Sequence, residues 1–235
     1  MKKKREKFES EHEKGKFIRH FVFGAEDGLI STLGFLTGIV GASLSHITIV
    51  IVGIAEVFAA ALSMGIGTYL STKSSVELIK RNIDIEKDEI KIMPKRERKE
   101  IEVMYRKKGF KGNKLKKIVD KIVSNKKVWL GEMLGFELGI VPGKYENPIK
   151  SAVIMFFTFI VLAFIPLASY LFVENVMSAL FTSVVLTMIT LFLVGAIKTK
   201  LTRKAWWKSG LEMMVLGLVA AIVTFYIGQF ISGFY

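Results

Sequence analysis

Three carboxylates stand inside stretches of this sequence that are otherwise apolar. Glu56 is flanked by residues 28–55 and 57–72, which contain no Lys, Arg, Asp or Glu, and Glu26 and Asp27 come directly before the first of these stretches. A charged side chain at the centre of a membrane helix costs about 2.5–3.5 kcal/mol on insertion scales, so such a residue is a functional hypothesis by default. Neither stretch offers a Lys or Arg as a salt-bridge partner. The pattern therefore predicts groups that bind a cation or a proton.

Simpler structural explanations stay open for each of these positions. A protonated Glu56 could hydrogen-bond to a neighbouring helix, and Asp27 could be an interfacial charge at the entry to a helix. Met64 follows Glu56 by about 12 Å along a helix and lies among small residues such as Ser63 and Gly67. Small residues usually mark close helix packing, and a single Met in a membrane helix most often faces lipid or core. Spacing alone does not make Met64 a ligand.

A second group of acidic residues lies between residues 71 and 148. Its members form pairs at helical spacing, so that each pair falls on one face of a helix. The pairs are Glu86 and Glu89, Glu97 and Glu100, and Met133 and Glu137. For any single pair a solvated surface is the simpler explanation, because the segment is rich in Lys and Arg. If the three faces converged, their oxygens would suit a hard divalent cation, and the thioether would favour Fe²⁺ slightly.

The distribution of charge predicts the elements that position these residues. The chain is 51% hydrophobic and carries a net charge of +13, but the charges are absent from long stretches. A helix of roughly 20 apolar residues crosses a hydrocarbon core about 30 Å thick. We therefore predict an all-α membrane protein with five transmembrane helices, at residues 21–44, 47–70, 149–172, 176–198 and 209–232.

Lys and Arg are concentrated on one side of these predicted spans. Eight precede the first span, five lie at 198–208, and nearly all the others lie in the segment that follows the second span. Loops rich in Lys and Arg stay cytoplasmic. We therefore expect a cytoplasmic N-terminus and an external C-terminus. The predicted segments are a basic cytoplasmic stretch at 1–20, two spans at 21–70, a cytoplasmic insert at 71–148 and three spans at 149–235.

The insert is predicted to contain three helices. The first prolongs the second span and ends near Met93, because Pro94 suits the first turn of a new helix. The second ends at Gly109, and the third runs from an N-cap at Asn113 to Leu138.

Several classes of protein are excluded by the residues that are missing or scattered. The chain has no Cys, which rules out disulfides, zinc fingers and iron–sulfur sites. Its three His are far apart in the sequence, and no nucleophile–base pair is recognisable. We therefore expect a protein that is not an enzyme and that holds no resident cofactor.

Three motifs of this chain resemble the vacuolar iron transporter (VIT) family, and the similarity extends from about Phe17 to Gly233. The first predicted span contains FGAEDGLISTLGFLTGIVGAS, and the second contains GIAEVFAAALSMGIGTYLSTKS. The insert closes with GEMLGFELGI. These motifs occur in the order and at the topological positions typical of the family.

The resemblance implies a homodimer that exports Fe²⁺ or Mn²⁺ from the cytosol in exchange for protons. It implies that Asp27, Glu56 and Met64 line an ion pathway at the dimer interface. It also implies a cytoplasmic metal-binding domain whose ligands are Glu86, Glu89, Glu97, Glu100, Met133 and Glu137. The expected partners are the metal ion, protons, membrane lipid and a second copy of the chain, with no nucleic acid.

A membrane-anchored metal sensor or buffer is the alternative from another functional class. Glu56 argues against it, because a helix that serves only as an anchor has no use for a charge near mid-membrane. The chain departs from the family pattern at Glu26, where a small or polar residue is usual, and in its unusually basic insert. Nothing in the sequence targets a vacuole, so we expect the cell membrane rather than a vacuole.

Overall fold

The fold is described from a computed structural model, which describes residues 2–137, 139, 145–202 and 205–234. Within these residues all regular structure is α-helical and no strand occurs, which confirms the predicted all-α class. In chain order the helices are α1 (Lys2–Gly41), α2 (His46–Ile92), α3 (Pro94–Lys107), α4 (Gly112–Val123), α5 (Lys126–Glu137), α6 (Pro148–Phe172), α7 (Val176–Thr202) and α8 (Trp206–Ser232).

Four of the described helices are long and apolar enough to cross a membrane. They are α2, α6, α7 over Val176–Thr199, and α8. The first predicted span lies in α1 and does not reach the same mean hydropathy, because Glu26 and Asp27 interrupt its apolar stretch. The protein is therefore an integral membrane protein, and four of the five predicted spans are long and apolar enough to cross the membrane.

The helix boundaries agree with the predicted ones at most ends. The second span and the first helix of the insert form one continuous helix, α2, which ends one residue before Met93. The basic N-terminal segment is helical as well and is continuous with the first predicted span. That helix ends at Gly41, three residues earlier than predicted, and a turn with Ser43 at φ 60° leads into α2.

The prediction of a single third helix in the insert was wrong. The chain forms two helices there, α4 and α5, separated at Ser124 and Asn125. The Asn125 Oδ1 accepts hydrogen bonds from the backbone N–H groups of Lys127 (3.0 Å) and Val128 (3.2 Å), so this residue caps a new helix. The apolar periodicity continues across the break and conceals it in the sequence. Leu138, the predicted end of the third helix, lies outside the described residues.

The chain divides into two compact units. The larger one comprises Met1–Leu70 and Pro148–Tyr235, and the smaller one, called the insert below, comprises Ser71–Asn147. In the larger unit α1 packs against α6, α7 and α8.

Glycines allow the helix backbones of the larger unit to approach closely. A Cβ on Gly28 of α1 would lie 2.8 Å from the carbonyl oxygen of Phe159 in α6. A Cβ on Gly228 of α8 would overlap the carbonyl oxygen of Gly38 in α1. Contacts of this kind need residues without a side chain. Because Asp27 precedes Gly28, the same packing sets the position of that carboxylate relative to α6.

The membrane part of α2 has one buried and one exposed face. Ile49, Val57 and Ala61 are fully buried in an apolar cluster that includes side chains of α1 and α6. Ile51 and Leu62, in contrast, are more than half exposed. An apolar helix face of this size is suited to lipid or to another protein chain.

The insert has a hydrophobic core of its own. Each of its four helical segments contributes, and the buried members are Ile90, Ile101, Met104, Leu115, Val119, Ile122, Trp129 and Met133. The chain reverses direction at Pro94, which occupies the first turn of α3, where a backbone N–H is not needed for the helix. This reversal brings the end of α2 and the start of α3 together.

Candidate functional site

Three glutamates from two helices form a cluster in the insert. Glu86 and Glu89 lie near the end of α2, and Glu97 lies in the first turn of α3. One carboxylate oxygen from each of them is within 4.8 Å of the other two. Divalent cations such as Mg²⁺ and Ca²⁺ are held by several carboxylate oxygens brought together in this way. The cluster therefore offers a set of oxygen ligands to a small, hard cation.

Two members of the cluster are almost fully removed from solvent. The side chains of Glu86 and Glu97 are 4% and 2% exposed. Glu86 Oε1 and Glu97 Oε2 have no hydrogen-bond partner among the described residues. Leaving a buried acceptor unsatisfied costs about 1–3 kcal/mol. A bound cation would satisfy both oxygens at once.

Glu100 and Glu137 extend the cluster to a third helix. The Glu137 carboxyl in α5 lies close enough to Glu100 in α3 to be affected by its charge, and it also experiences the charges of Glu89 and Glu97. Arg96 donates from Nε to Glu100 Oε1 at 3.1 Å. The structure thus brings together the five glutamates that the sequence placed on three helix faces.

The electrostatic environment favours the protonated form of several of these carboxyl groups. Burial, followed by repulsion from Glu137 and Glu97, raises the pKa of Glu86 to about 7. Loss of hydration, followed by the proximity and the charge of the Glu100 carboxyl, raises the pKa of Glu137 to about 7. The pKa of Glu97 is raised as well, first by burial and then by the charges of Glu100 and Glu89. Near neutral pH the cluster therefore holds protons that a divalent cation would displace.

Met133 is placed in the core of the insert. Its side chain is fully buried in the same apolar cluster as Ile101 and Trp129. It lies one helical turn before Glu137 on α5. A role of the Met133 thioether as a metal ligand stays a prediction.

The two membrane carboxylates predicted to act on ions lie on neighbouring helices of the larger unit. Asp27 is in α1 and Glu56 in α2, and both are partly buried. The Thr32 hydroxyl in α1 donates a hydrogen bond to Glu56 Oε2 at 3.3 Å. The hydroxyl of the neighbouring Ser31 donates a hydrogen bond to the backbone carbonyl oxygen of Asp27, one turn earlier in α1, at 2.5 Å. A hydroxyl group of α1 thus donates a hydrogen bond to each of the two acidic residues, to the backbone of Asp27 and to the side chain of Glu56.

Met64 lies two turns beyond Glu56 on α2. It is partly buried and packs against the apolar cluster that contains Val57, Ala61 and Phe159. This environment is that of a packing residue, so its role in an ion pathway stays a prediction.

Comparison with known proteins places this arrangement in a family. A sequence profile described as the VIT family matches residues 18–229. The chain belongs to the VIT family. The matched range includes every predicted site residue in both units, and the family resemblance seen in the sequence is confirmed.

Related proteins of plants and of a parasite align with this VIT family member over most of its length. "Vacuolar iron transporter 1" of Arabidopsis thaliana is 30% identical over 218 residues, which are 93% of this chain and 87% of that protein. "Vacuolar iron transporter 2" of Oryza sativa subsp. japonica is 31% identical over 211 residues, which are 90% and 86% of the two chains. "Vacuolar iron transporter" of Plasmodium falciparum is 29% identical over 220 residues, which are 90% and 81%. These names specify a vacuole and do not favour the predicted cell membrane.

Sequence reasoning missed two polar partners at the sites of this VIT family member. The first is Thr32, which is fully buried beside Glu56. The sequence shows Thr32 as a polar residue in an apolar span, which indicates that it needs a polar partner. Which carboxylate it contacts depends on how α1 is rotated against α2, and the sequence does not give that rotation. The second is Arg96, which binds Glu100 at the edge of the insert cluster. Its i, i+4 spacing to Glu100 was visible in the sequence.

Proposed function

We propose that this protein is a homodimeric transporter that moves Fe²⁺ or Mn²⁺ out of the cytosol in exchange for protons. The observation that carries the proposal is the carboxylate cluster of the insert in a chain of the VIT family. Five glutamates from three helices supply more oxygen ligands than any exposed pair could, and two of them are buried. The aligned relatives from Arabidopsis thaliana and Oryza sativa are called vacuolar iron transporters, which favours transport over catalysis.

The part of α1 from Phe21 to Gly41 serves as the fifth membrane span. It packs against α6, α7 and α8, three helices that are each apolar enough to cross a membrane. Its carboxylates, Glu26 and Asp27, lie toward the end that carries the basic N-terminal segment. With five spans, the Lys- and Arg-rich segments lie on the cytoplasmic side and the C-terminus lies outside.

In the proposed pathway, the insert collects metal from the cytosol and the membrane residues carry it outward. Asp27 and Glu56 supply negative charge inside the larger unit, where an isolated divalent cation would otherwise be strongly disfavoured. Met64, on the same helix as Glu56, adds a softer ligand that suits Fe²⁺ better than the harder Mg²⁺ or Ca²⁺.

Proton exchange follows from the chemistry of carboxyl ligands. A carboxyl group that binds a metal ion must first lose its proton, so loading metal releases protons and unloading takes them up. Glu86 and Glu137, each with a pKa of about 7, are suited to this exchange at neutral pH on the cytoplasmic side.

A second copy of the chain is proposed to cover the exposed face of α2. Ile51, Phe58 and Leu62 leave a large apolar surface on the helix that carries Glu56. A homodimer formed there would place two copies of Glu56 near one interface. The sequence resemblance implies the same location for the ion pathway.

The alternative function, a membrane-anchored metal buffer, has one structural observation in its favour. The insert is a compact unit with its own core and holds the whole glutamate cluster. The pairing of Thr32 with Glu56 in the larger unit argues for transport, because an anchor needs no such polar contact between its helices.

The test is metal uptake by proteoliposomes that contain the full-length protein, measured with a metal-sensitive dye inside the vesicles. We expect Fe²⁺ or Mn²⁺ flux that increases when the opposing compartment is acidic. Glu56→Gln and Asp27→Asn should abolish the flux, because a neutral amide cannot offset a divalent charge. Glu174→Gln removes one exposed carboxylate from a loop of the larger unit and is the matched control. Metal binding without any flux would identify a buffer, and flux that ignores the pH gradient would identify a uniporter.

A further inference from the structure

The turn between α3 and α4, together with the start of α4, forms a strongly basic surface of the insert. Residues 107–117 contain six lysines and no acidic residue, and we call this segment the basic turn. All six lysines are exposed, namely Lys107, Lys108, Lys111, Lys114, Lys116 and Lys117. On α4 the apolar side chain of Leu115 is buried in the core of the insert, which leaves the lysines beside it to face solvent.

The positive charge of the basic turn is not neutralised by neighbouring carboxylates. Within the part of the chain that the structure describes, Lys108 is the one lysine of this segment with an acidic partner, Glu132, at 3.9 Å. Nearby acids are engaged by other groups. Asp120 is bound by Arg98, and Glu132 also accepts a hydrogen bond from the Tyr105 hydroxyl at 2.9 Å. The field of the remaining lysines is therefore available to an anionic partner.

An aromatic side chain lies at the tip of the basic turn. Phe110 is 38% exposed, and its ring centroid is 5.9 Å from that of Tyr105. Gly109 and Gly112 flank it with φ values of 93° and 56°, and no other atom lies within 4 Å of the Cβ that either glycine would carry. A partly exposed ring between lysines on an open turn suits the boundary between lipid headgroups and acyl chains.

From these features we propose that the basic turn binds anionic phospholipid headgroups at the membrane surface. Each Lys near an anionic bilayer strengthens binding by about fivefold, and clusters of four to eight basic residues next to a membrane segment are typical of such sites. Both ends of the insert continue into helices that are apolar enough to cross a membrane, so the bilayer is present at a high effective concentration. A soluble polyanion lacks this advantage.

The direction of α3 within the insert agrees with this role. Ile90 of α2 and Ile101 of α3 share one apolar cluster, and Glu86 lies beside Glu97, so α3 runs back along the end of α2. The basic turn, which follows α3, is therefore remote from the reversal at Pro94. It lies toward the end of the insert where the chain enters at Ser71.

The experiment places a fluorescent label on the basic turn of the full-length protein. Because the chain has no native Cys, Asn113→Cys provides a single attachment site for an environment-sensitive dye. The labelled protein is reconstituted in nanodiscs of phosphatidylcholine alone or mixed with phosphatidylserine. We expect a blue shift in the mixed nanodiscs that disappears at about 1 M salt, where the Debye length falls to about 3 Å.

Two sets of variants separate this site from the general charge of the insert. Replacing Lys107, Lys111, Lys114 and Lys117 with Gln should abolish the shift. Replacing Lys95, Lys99, Lys126 and Lys127, which are exposed outside the basic turn, with Gln removes the same charge and should leave most of the shift in place.

Three outcomes would overturn the proposal. Equal emission with and without phosphatidylserine would mean that the basic turn does not bind lipid. Equal loss of the shift in both sets of variants would mean that only the overall charge matters. A response to added RNA in nanodiscs without phosphatidylserine, together with no response to the lipid, would identify the partner as nucleic acid.

Discussion

Glu86 and Glu97 lie on consecutive helices with carboxyl oxygens within 4.8 Å of each other, and both side chains are almost fully buried. In the absence of metal this pair stores unfavourable electrostatic energy, since burial and the charges of neighbouring carboxylates both disfavour the charged forms. The energy is released when protons or a cation bind. The behaviour of the insert should therefore depend on pH and on metal.

The first prediction concerns the stability of the metal-free protein. The pKa of Glu86 is about 7 in the folded state against 4.5 in a model peptide, so between these values the folded state binds more protons than the unfolded state. Stability must then fall as pH rises through this window. We expect the thermal midpoint of the insert to decrease from pH 5 to pH 8 and the decrease to be smaller in Glu86→Gln.

Trp129 provides the measurement for this prediction. It is buried in the core of the insert, whereas Trp206 and Trp207 are exposed in the larger unit. Replacing those two with Phe leaves one reporter of insert unfolding in the full-length protein. A midpoint that rises with pH, or the same slope in Glu86→Gln, would contradict the assignment of this pKa.

The second prediction is that Glu97→Gln weakens metal binding. The substitution keeps the shape of the side chain and removes one buried charged ligand, so we expect the affinity for Mn²⁺ to drop by about tenfold or more, which is roughly 1.4 kcal/mol. Titration calorimetry on the full-length protein measures it. Glu102→Gln is the matched control, because Glu102 is on the same helix and is paired with Arg106. Equal affinities of the two variants would mean that the cluster is not the binding site.

The third prediction separates supply of metal from its passage through the membrane. Replacing both Glu97 and Glu100 with Ala should slow transport at low metal concentration and leave it unchanged at saturating metal. This result is expected if the insert only raises the local supply to a pathway that begins near Met64. Uptake rates in proteoliposomes over a range of metal concentrations measure it. Unchanged rates at every concentration, with binding lost, would indicate that the insert acts as a buffer.

The fourth prediction concerns the hydroxyl that accompanies Glu56. Thr32→Val removes the hydrogen bond to Glu56 with little change of volume, whereas Thr32→Ser keeps a donor at the same position. A hydrogen bond to a charged group contributes about 1.5–3 kcal/mol. We expect Val to lower the maximal transport rate at least several-fold and Ser to restore most of it. If both variants transport equally well, the hydroxyl has no part in positioning the carboxylate.

The fifth prediction concerns topology. Single Cys residues at Ser45 and Asn175, in short turns between helices, should react with an impermeant maleimide added outside intact cells. A Cys at Ser124, in the insert, should react only after permeabilisation. Labelling of Ser124 from outside would reverse the proposed orientation.

The sequence alone predicted the helical class and the approximate spans, because long stretches without charge have few structural alternatives. Spacing placed each pair of glutamates on one helix face, and Pro94 indicated where a new helix begins, but that the pairs meet in one cluster was implied by the family resemblance. The break between α4 and α5 was missed because the apolar pattern continues through it. The capping hydrogen bonds of Asn125 that start α5 leave no trace in that pattern. The contact of Thr32 with Glu56 was out of reach, because it depends on how two helices are rotated against each other.

The close approach of α1 and α8 at Gly38 and Gly228 restricts how this protein can change shape. Where two backbones interlock, the helices cannot slide or turn past each other without first separating. We therefore expect α1 and α8 to stay fixed relative to each other. The nearest neighbours of Gly53 and Gly65 on α2 are mainly side-chain atoms, which change rotamer readily. In the proposed transport, a rearrangement that opens the ion path to alternate sides of the membrane would therefore be easier if α2 moved against this fixed pair of helices, and Glu56 would move with α2.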